Sequence, residues 1–437
     1  MNIVIAGAGK VGFDLAKTFS IGHDVTIIDN NQDALDKLSE SLDILCIHGN
    51  LEDISSYATC KGRKIDLLIV VTDNDNVNLI ATLLAGTFLE IDKIFVRFQN
   101  PSFTNQKLQE KLHIDKVIFP KKVASSSIAA LLNYPKANNV KFFKYTDYRL
   151  ASVAVSSSIV SQKIAENKYN IVGIEREKNF FIPDYEDSIM PNDLIYFFAL
   201  DTDIHTICDL FYYEEKSKIE KCVVFGGDDL GISIAKALLD INKEVKLVEK
   251  DFNICEQANE ILEGKVSIIN SKYGTIELFE NEGLDAADIF ISATKNDEYN
   301  IIKCLEAKDR GIEKVVAINN EVEYYNFMHS LGIVAMRGPK MSAYNTIMEE
   351  VNSTGIILEK YFCGAKAVVY MRKIFVTSEH ISKRVKHLTI KGVSLFYLRD
   401  NSFIKFSEPL VLEKNDILMV FCSVDVAPRA KRWIYEL

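Results

Sequence analysis

The sequence predicts an α/β fold: two doubly wound parallel-sheet lobes in series, each followed by a small α+β domain, the product of an internal duplication. Three observations carry that expectation. Gly7-Ala8-Gly9-Lys10-Val11-Gly12 follows the apolar run Ile3–Ala6, and Gly226-Gly227-Asp228-Asp229-Leu230-Gly231 follows Val223-Val224-Phe225. An acidic residue comes 22 positions after the first glycine of one turn (Asp29) and 23 after that of the other (Glu249). Further pairs keep step: Asn74-Asp75 with Asn296-Asp297, Pro120-Lys121 with Pro339-Lys340, and Asn192-Asp193 with Asn415-Asp416. The repeating unit is roughly 220 residues long.

The first lobe is expected over residues 1–139. Its strands read as Ile3–Ala6, Asp24–Asp29, Ile44–His48, Leu67–Thr72, Lys93–Phe98 and Lys116–Phe119. Helical spacing falls between them at Val11–Phe19, Gln32–Leu42, Val77–Phe88 and Thr104–Leu112. Such alternation gives a parallel sheet covered on both faces. The sparsely charged helical stretch Val123–Leu132 suits a connector to the next lobe or a face for a sister subunit. Over 140–208 the pattern changes to β-branched and aromatic runs, Val140–Tyr145, Ser152–Val155, Ile171–Arg176 and Leu194–Ala199, around one candidate helix, Ile159–Glu166. Residues 209–218 are charge-rich and read as the linker; 219–355 and 356–437 repeat the lobe and its small domain.

Composition narrows the function. With 48% hydrophobic residues, the 437-residue chain can fill several cores. A formal charge of -10 argues against a general nucleic-acid binder, which carries a basic face. The eight cysteines include no Cys-x-x-Cys pair, and the seven histidines show no metal-ligand spacing, which fits a reducing cytosol. The longest apolar runs are strand length, whereas a bilayer span takes about 20 residues. No basic leader precedes the first strand. The expectation is a cytoplasmic protein whose role at a membrane comes through a partner.

The Gly-rich turn is the principal chemical signal. Between a strand and a helix, the first glycine permits a tight turn and the second lets backbone approach a pyrophosphate. That anion would rest on the N–H groups and dipole of the helix N-terminus. Asp29, closing the second strand of this Rossmann-like unit, suits ribose hydroxyls and opposes a 2′-phosphate, so NADP is disfavoured. Thr72-Asp73-Asn74-Asp75 follows a strand on the same sheet edge, where it can line a ligand or cap the next helix. Arg97 ends a strand within reach of a phosphate or stands solvated. The second turn is weaker: Asp228 and Asp229 place carboxylates where phosphate oxygens would lie, and no arginine matches Arg97. Gly226, Gly231 and Glu249 keep the outline of a site there. No Gly-x-Ser-x-Gly, P-loop or His-Glu-x-x-His motif nominates a catalytic centre. An NAD-dependent oxidoreductase remains the alternative, because the fingerprint alone does not separate sensing from hydride transfer.

Taken together, the stretches Val4–Gly12, Ile27-Ile28-Asp29, Val71–Asn78 and Val96-Arg97, with an Asn-Asp turn before the last strand of each small domain, resemble the peripheral Trk-system potassium-uptake proteins. These are built from tandem regulator-of-potassium-conductance domains, and the likeness covers essentially the whole chain. It implies a cytosolic regulatory subunit, not an enzyme, that binds NAD or NADH and adenine nucleotides (ATP or ADP). Such a subunit forms a homo-oligomeric ring, a tetramer by family habit, under a membrane-embedded potassium translocating subunit. By position the resemblance implies that Gly7, Ala8, Gly9, Lys10 and Val11 hold phosphates, Asp29 the ribose, Asn50, Thr72 and Asp73 the adenosine side, and Arg97 a phosphate. The chain departs from the family pattern at Lys121, where an acidic residue is usual, and at Asn192 and Asn415, where Gly-Asp is commoner.

Overall fold

A computed structural model describes residues 1–437 apart from 144, 159–160, 165–168, 213–218, 272–274, 353–356, 365, 376–377, 379 and 407–409. The first lobe is a six-stranded parallel sheet in the order Leu45–His48, Asp24–Asp29, Asn2–Ala6, Leu67–Val70, Ile94–Arg97, Lys116–Ile118. Strand order therefore reverses on either side of Asn2–Ala6, which creates a crevice at the carboxyl edge. Alternate side chains enter opposite cores: Val4 and Ala6 meet Ala81 and Ala85 of helix Asp75–Phe88. Ile3 and Ile5 meet Leu15 and Ala16 of helix Lys10–Phe19. The second lobe repeats this sheet as Ser267–Asn270, Glu244–Glu249, Lys221–Phe225, Ile289–Ser292, Lys314–Asn319, Val334–Arg337, all parallel.

The last helix of each lobe leaves its own sheet. Helix Pro120–Leu132 buries Ala124, Ile128, Leu131 and Leu132 among Ile234, Leu238, Val245 and Leu247 of the second lobe. Reciprocally, Ala343 and Ile347 of helix Pro339–Asn352 pack with Ile3, Ile5, Leu15 and Ile27 of the first. Of the two roles expected for Val123–Leu132, contact with the next lobe is the one seen within a single chain. Tyr344 reaches Thr18 Oγ1 at 2.9 Å, and Lys116 pairs with Glu350 at 2.8 Å, both across the lobes.

Each small domain is a five-stranded antiparallel sheet with the same strand order. The first runs Asn179–Phe181, Ile171–Arg176, Leu194–Leu200, Tyr148–Ala154, Asn139–Phe142. The second runs Ser402–Lys405, Val393–Arg399, Ile417–Ser423, Ala367–Lys373, Ile357–Phe362. The two sheets meet face to face through an aromatic core; the Phe198 and Phe403 rings lie 4.8 Å apart, and Phe180 meets Phe362 edge-on at 5.5 Å. Helices Ile204–Phe211 and Ala427–Tyr435 cover the outer faces.

Two expectations need correction. Of the candidate helix Ile159–Glu166, residues 159–160 and 165–166 lie outside the described residues, and Gln162–Lys163 is a strand paired with Ser188–Ile189. A pairing partner distant in sequence outweighs local helical spacing. Asp209–Phe211, placed in the linker, are the last turn of helix Ile204–Phe211, because Ile207, Cys208 and Phe211 form one apolar stripe against the sheet. Of the rest of the linker, Tyr212 caps that helix and 213–218 lie outside the described residues.

The repeated Asn-Asp turns have a structural role. Asn192 and Asn415 adopt φ of 67° and 68°, the left-handed region that asparagine, like glycine, tolerates, which accounts for asparagine at these two positions. The following aspartates are buried and receive bidentate bonds from arginine: Asp193 from Arg176 at 2.8 Å, and Asp416 from Arg399 at 2.8 and 2.7 Å. Removing the arginine leaves a buried carboxylate without its cation. Arg399→Ala, which strands the fully buried Asp416, should therefore destabilise the chain by about 3–5 kcal/mol in denaturant titration. Ile347→Ala, a cavity beneath the first lobe's sheet made from the second lobe's helix, should cost about 2–5 kcal/mol. Hydrogen exchange should report that loss at Asn2–Ala6 before Lys221–Phe225.

Candidate nucleotide-binding cleft

Gly7, Gly9, Lys10, Val11, Asp29, Val71, Thr72, Asp73, Arg97 and Lys340 surround a cleft of about 220 Å³ at the switch point of the first sheet. Gly7 turns the chain at φ 112°, and a Cβ there would lie 3.1 Å from Thr72 Cγ2. A Cβ on Gly12 would come within 1.8 Å of the Gly7 carbonyl oxygen, so helix and turn close on each other only through glycine. Gly9 differs, since a Cβ there would meet nothing within 4 Å. Its place is the N-cap of helix Lys10–Phe19, and no side chain caps that end. The orphan N–H groups of the first turn face the cleft with the positive end of the helix dipole behind them.

Around this anion-seeking end stand the charged groups. Asp29 accepts from the Ala8 N–H at 2.5 Å and the Asn31 N–H at 2.8 Å, which fixes its carboxylate beside the turn. Arg97 is buried, holds Asp73 at 2.6 Å through one guanidinium nitrogen, and leaves its Nε buried with no acceptor. The residue lines the cleft, where a guanidinium suits an anionic guest. Lys10 pairs with Glu321 of the second lobe at 3.0 Å, and that hydrogen bond is the main reason its ammonium is held above the ordinary lysine range. The residues present suit a dinucleotide in three respects: open helix N–H groups, a Cβ-free approach at Gly9, and an arginine on the lining.

Two predicted residues stand apart from this lining. Ala8 is buried and spends its N–H on Asp29. Asn50 is exposed and outside the lining, its side-chain oxygen accepting from the Glu52 N–H at 3.0 Å. Two residues that the sequence reading left out of the site matter to it. Asn78, buried, donates to the Thr72 and Arg97 carbonyls at 3.0 and 2.8 Å and accepts from the Thr72 N–H and hydroxyl. It staples the ends of two strands and so positions both Thr72 and Arg97. The signal was present in the repeated Asn-Asp-x-x-Asn pattern, since Asn300 makes the same bonds to Thr294 and Ile318. Lys340 comes from the other lobe, and nothing local to the first motif announces it.

The second lobe keeps the frame and fills the site with its own carboxylates. Asp228 has φ −68° and ψ 179°, beside −64° and −179° at Gly9, so the two turns differ in side chain rather than backbone. Its carboxylate accepts from the Leu230 N–H at 3.1 Å and the Gly231 N–H at 3.4 Å, capping helix Asp229–Asp240 where a phosphate would sit. Asp229 pairs with Lys121 at 2.5 Å. Glu249 is buried, tied to the Gly227, Lys250 and Asp251 N–H groups at 2.7, 2.8 and 3.0 Å. Ile318 stands where the first lobe has Arg97.

Two tandem open-sheet lobes with Gly-rich turns at their switch points define a duplicated protein of the dinucleotide-fold class. The TrkA-N domain family matches residues 3–120 and 222–337, and the chain belongs to that family. It is 26% identical to the Trk system potassium uptake protein TrkA of Vibrio alginolyticus over 82% of this chain and 80% of that protein. The likeness to the Trk system potassium uptake protein TrkA homolog 1 of Methanosarcina mazei is also 26%, over 99% and 100% of the two chains. In fold, the chain is similar to the GsuK RCK domain, with TM-score 0.60, 15% identity and coverage of 100% and 95%. It is similar to the GsuK channel bound to NAD as well, with TM-score 0.60, 15% identity and coverage of 100% and 79%. No helix among the described residues is long and apolar enough to cross a membrane.

Gly9→Asp would give the first helix the cap that Asp228 gives the second. A capping carboxylate gains a few tenths of a kcal/mol over glycine, so the expected result is an unchanged or slightly raised melting temperature. The same variant should lose any melting shift caused by added nucleotide, which thermal scans with and without NAD would read.

Proposed function

We propose that this chain is a nucleotide-binding regulatory subunit of a potassium uptake system. In this reading its first lobe binds NAD, NADH or an adenine nucleotide, and the second lobe binds none or binds weakly. The subunit lies at the cytoplasmic face, assembled as a homo-oligomeric ring against a membrane-embedded potassium translocating subunit whose gating it changes. The single observation that carries the reading is the uncapped helix N-terminus of Lys10–Phe19, set in one cleft with Asp29 and Arg97. Family membership and the potassium-uptake names of relatives spanning nearly the whole chain support the physiological setting.

In the first lobe, Gly7, Gly9, Lys10 and Val11 would cradle the phosphates, Arg97 would donate to them, and Asp29 would accept from ribose hydroxyls. Ala8 would act through its hold on Asp29. Thr72 and Asp73 would line the nucleoside side, with Asn50 at its outer margin. Gly226, Gly231 and Glu249 would form the weaker second site. Regulation needs only that the ligand favour one arrangement of the assembly, and a coupling of about 1–3 kcal/mol shifts gating several-fold. The small domains suit this role better than a dehydrogenase's substrate domain: their sheets are buried against each other, and Asp193 and Asp416 are committed to arginine partners.

Calorimetry of the purified chain with NAD, NADH, ADP and ATP should show one principal site per chain. Asp29→Ala and Arg97→Ala should each weaken it by about tenfold or more. Reconstituted with its membrane subunit, the protein should make potassium flux nucleotide-dependent while NADH absorbance stays constant. Flux indifferent to every nucleotide, with steady NADH oxidation on a metabolite, would replace this reading with an oxidoreductase.

A further inference from the structure

Building on the proposed first-lobe site, we infer that the cleft is completed by Lys340 of the second lobe, and that its ligand carries a chain of at least two phosphates bridging that lysine and the first lobe's helix N-terminus. Lys340 lines the cleft with Gly9, Lys10 and Arg97 although it belongs to the helix that crosses from the other lobe. Each of the other charges of the lining has a partner within the chain. Lys10 holds Glu321, Arg97 holds Asp73, and Asp29 is bound by backbone N–H groups. Among the described residues, Lys340 has no carboxylate partner. Its position adds weight, because it stands in the first turn of helix Pro339–Asn352, the end at which a cation opposes the helix dipole. A lysine there does not serve the helix.

The mirror half shows what such a lysine is matched with. Lys121 occupies the same place in helix Pro120–Leu132, directly after the proline, and reaches across to Asp229 at 2.5 Å. Beside it Asp228 caps the second lobe's helix. Two neighbouring carboxylates of the chain thus supply two anions, one on the helix N–H groups and one on the crossing lysine. In the first lobe those positions are Gly9 and Lys10, so neither the helix N–H groups nor the exposed Lys340 ammonium meets a carboxylate there. A diphosphate satisfies both at once, with one phosphoryl group on the N–H groups and its neighbour on the Lys340 ammonium. A monophosphate meets the first demand and leaves the second. Binding a diphosphate therefore ties the first sheet to a helix of the second lobe, and the ligand becomes part of the contact between lobes.

The test uses the full-length chain, with ADP and AMP as probes in calorimetry and unliganded thermal melting as the control for folding. Lys340→Ala should weaken ADP about tenfold and leave AMP nearly unchanged; Lys340→Arg should keep most ADP affinity, and Lys121→Ala should not alter it. The unliganded melting temperature of Lys340→Ala should not fall. Wild-type ADP affinity in Lys340→Ala, or equal losses for ADP and AMP, overturns the bridging role while leaving the nucleotide site standing. A wild-type chain that binds none of ADP, ATP or NAD removes the proposed function, and this inference with it.

Discussion

A parallel sheet has two apolar faces, and both must be covered by helices. In this chain each lobe's own helices lie on both faces, but one face is completed only by a helix of the other lobe. The first sheet's inner face is finished by Ala343 and Ile347 from the second lobe, and the second sheet's by Ala124, Ile128, Leu131 and Leu132 from the first. That exchange fixes the lobes against each other and sets the starts of the crossing helices over the opposite Gly-rich turns. Lys340 therefore reaches the first cleft and Lys121 the second turn. The site chemistry follows from how the cores are closed.

Within this near-symmetric frame a few side chains make the two turns unlike. Strand order, the glycine that closes on the turn, the Asn78 and Asn300 staples and the carboxylate on the residue after the first glycine are all retained. Retention of the scaffold bonds is expected, because losing one would leave buried amides unpaired. Asp228, Asp229 and Ile318 break no such bond. Asp228 even satisfies N–H groups that the first lobe leaves exposed to its cleft. An anion site and a self-capped helix are alternative ways to satisfy the same four orphan donors.

The small domains extend the same logic to association. Each antiparallel sheet has one face under a helix and one face free for its twin, and the aromatic contact between them forms a single core shared by both halves. A duplicated chain can build this interface from two related surfaces without recruiting a second copy. The inward faces are packed and the ionic groups at the strand turns paired, so the two domains share one tied core.

The sequence alone established what depends on local pattern. Strand–turn–helix punctuation, Gly7 and Gly9, and Asp29 at a strand end were readable because turn geometry and hydrophobic period act over a few residues. The duplication itself was readable from matching pairs such as Asn192-Asp193 and Asn415-Asp416, although their buried arginine partners were not. The same local reasoning failed at Gln162–Lys163, which form a strand through a partner 25 or more residues away, and at Asp209–Phe211, whose helix rests on a sheet. Only tertiary structure decided that the last helix of each lobe crosses to the other, that Asn50 lies outside the cleft lining, and that Lys340 lies within it. Those outcomes depend on which buried surfaces remain uncovered after each lobe has folded. That is a property of the whole chain, because an exposed apolar face is closed by whichever segment can reach it.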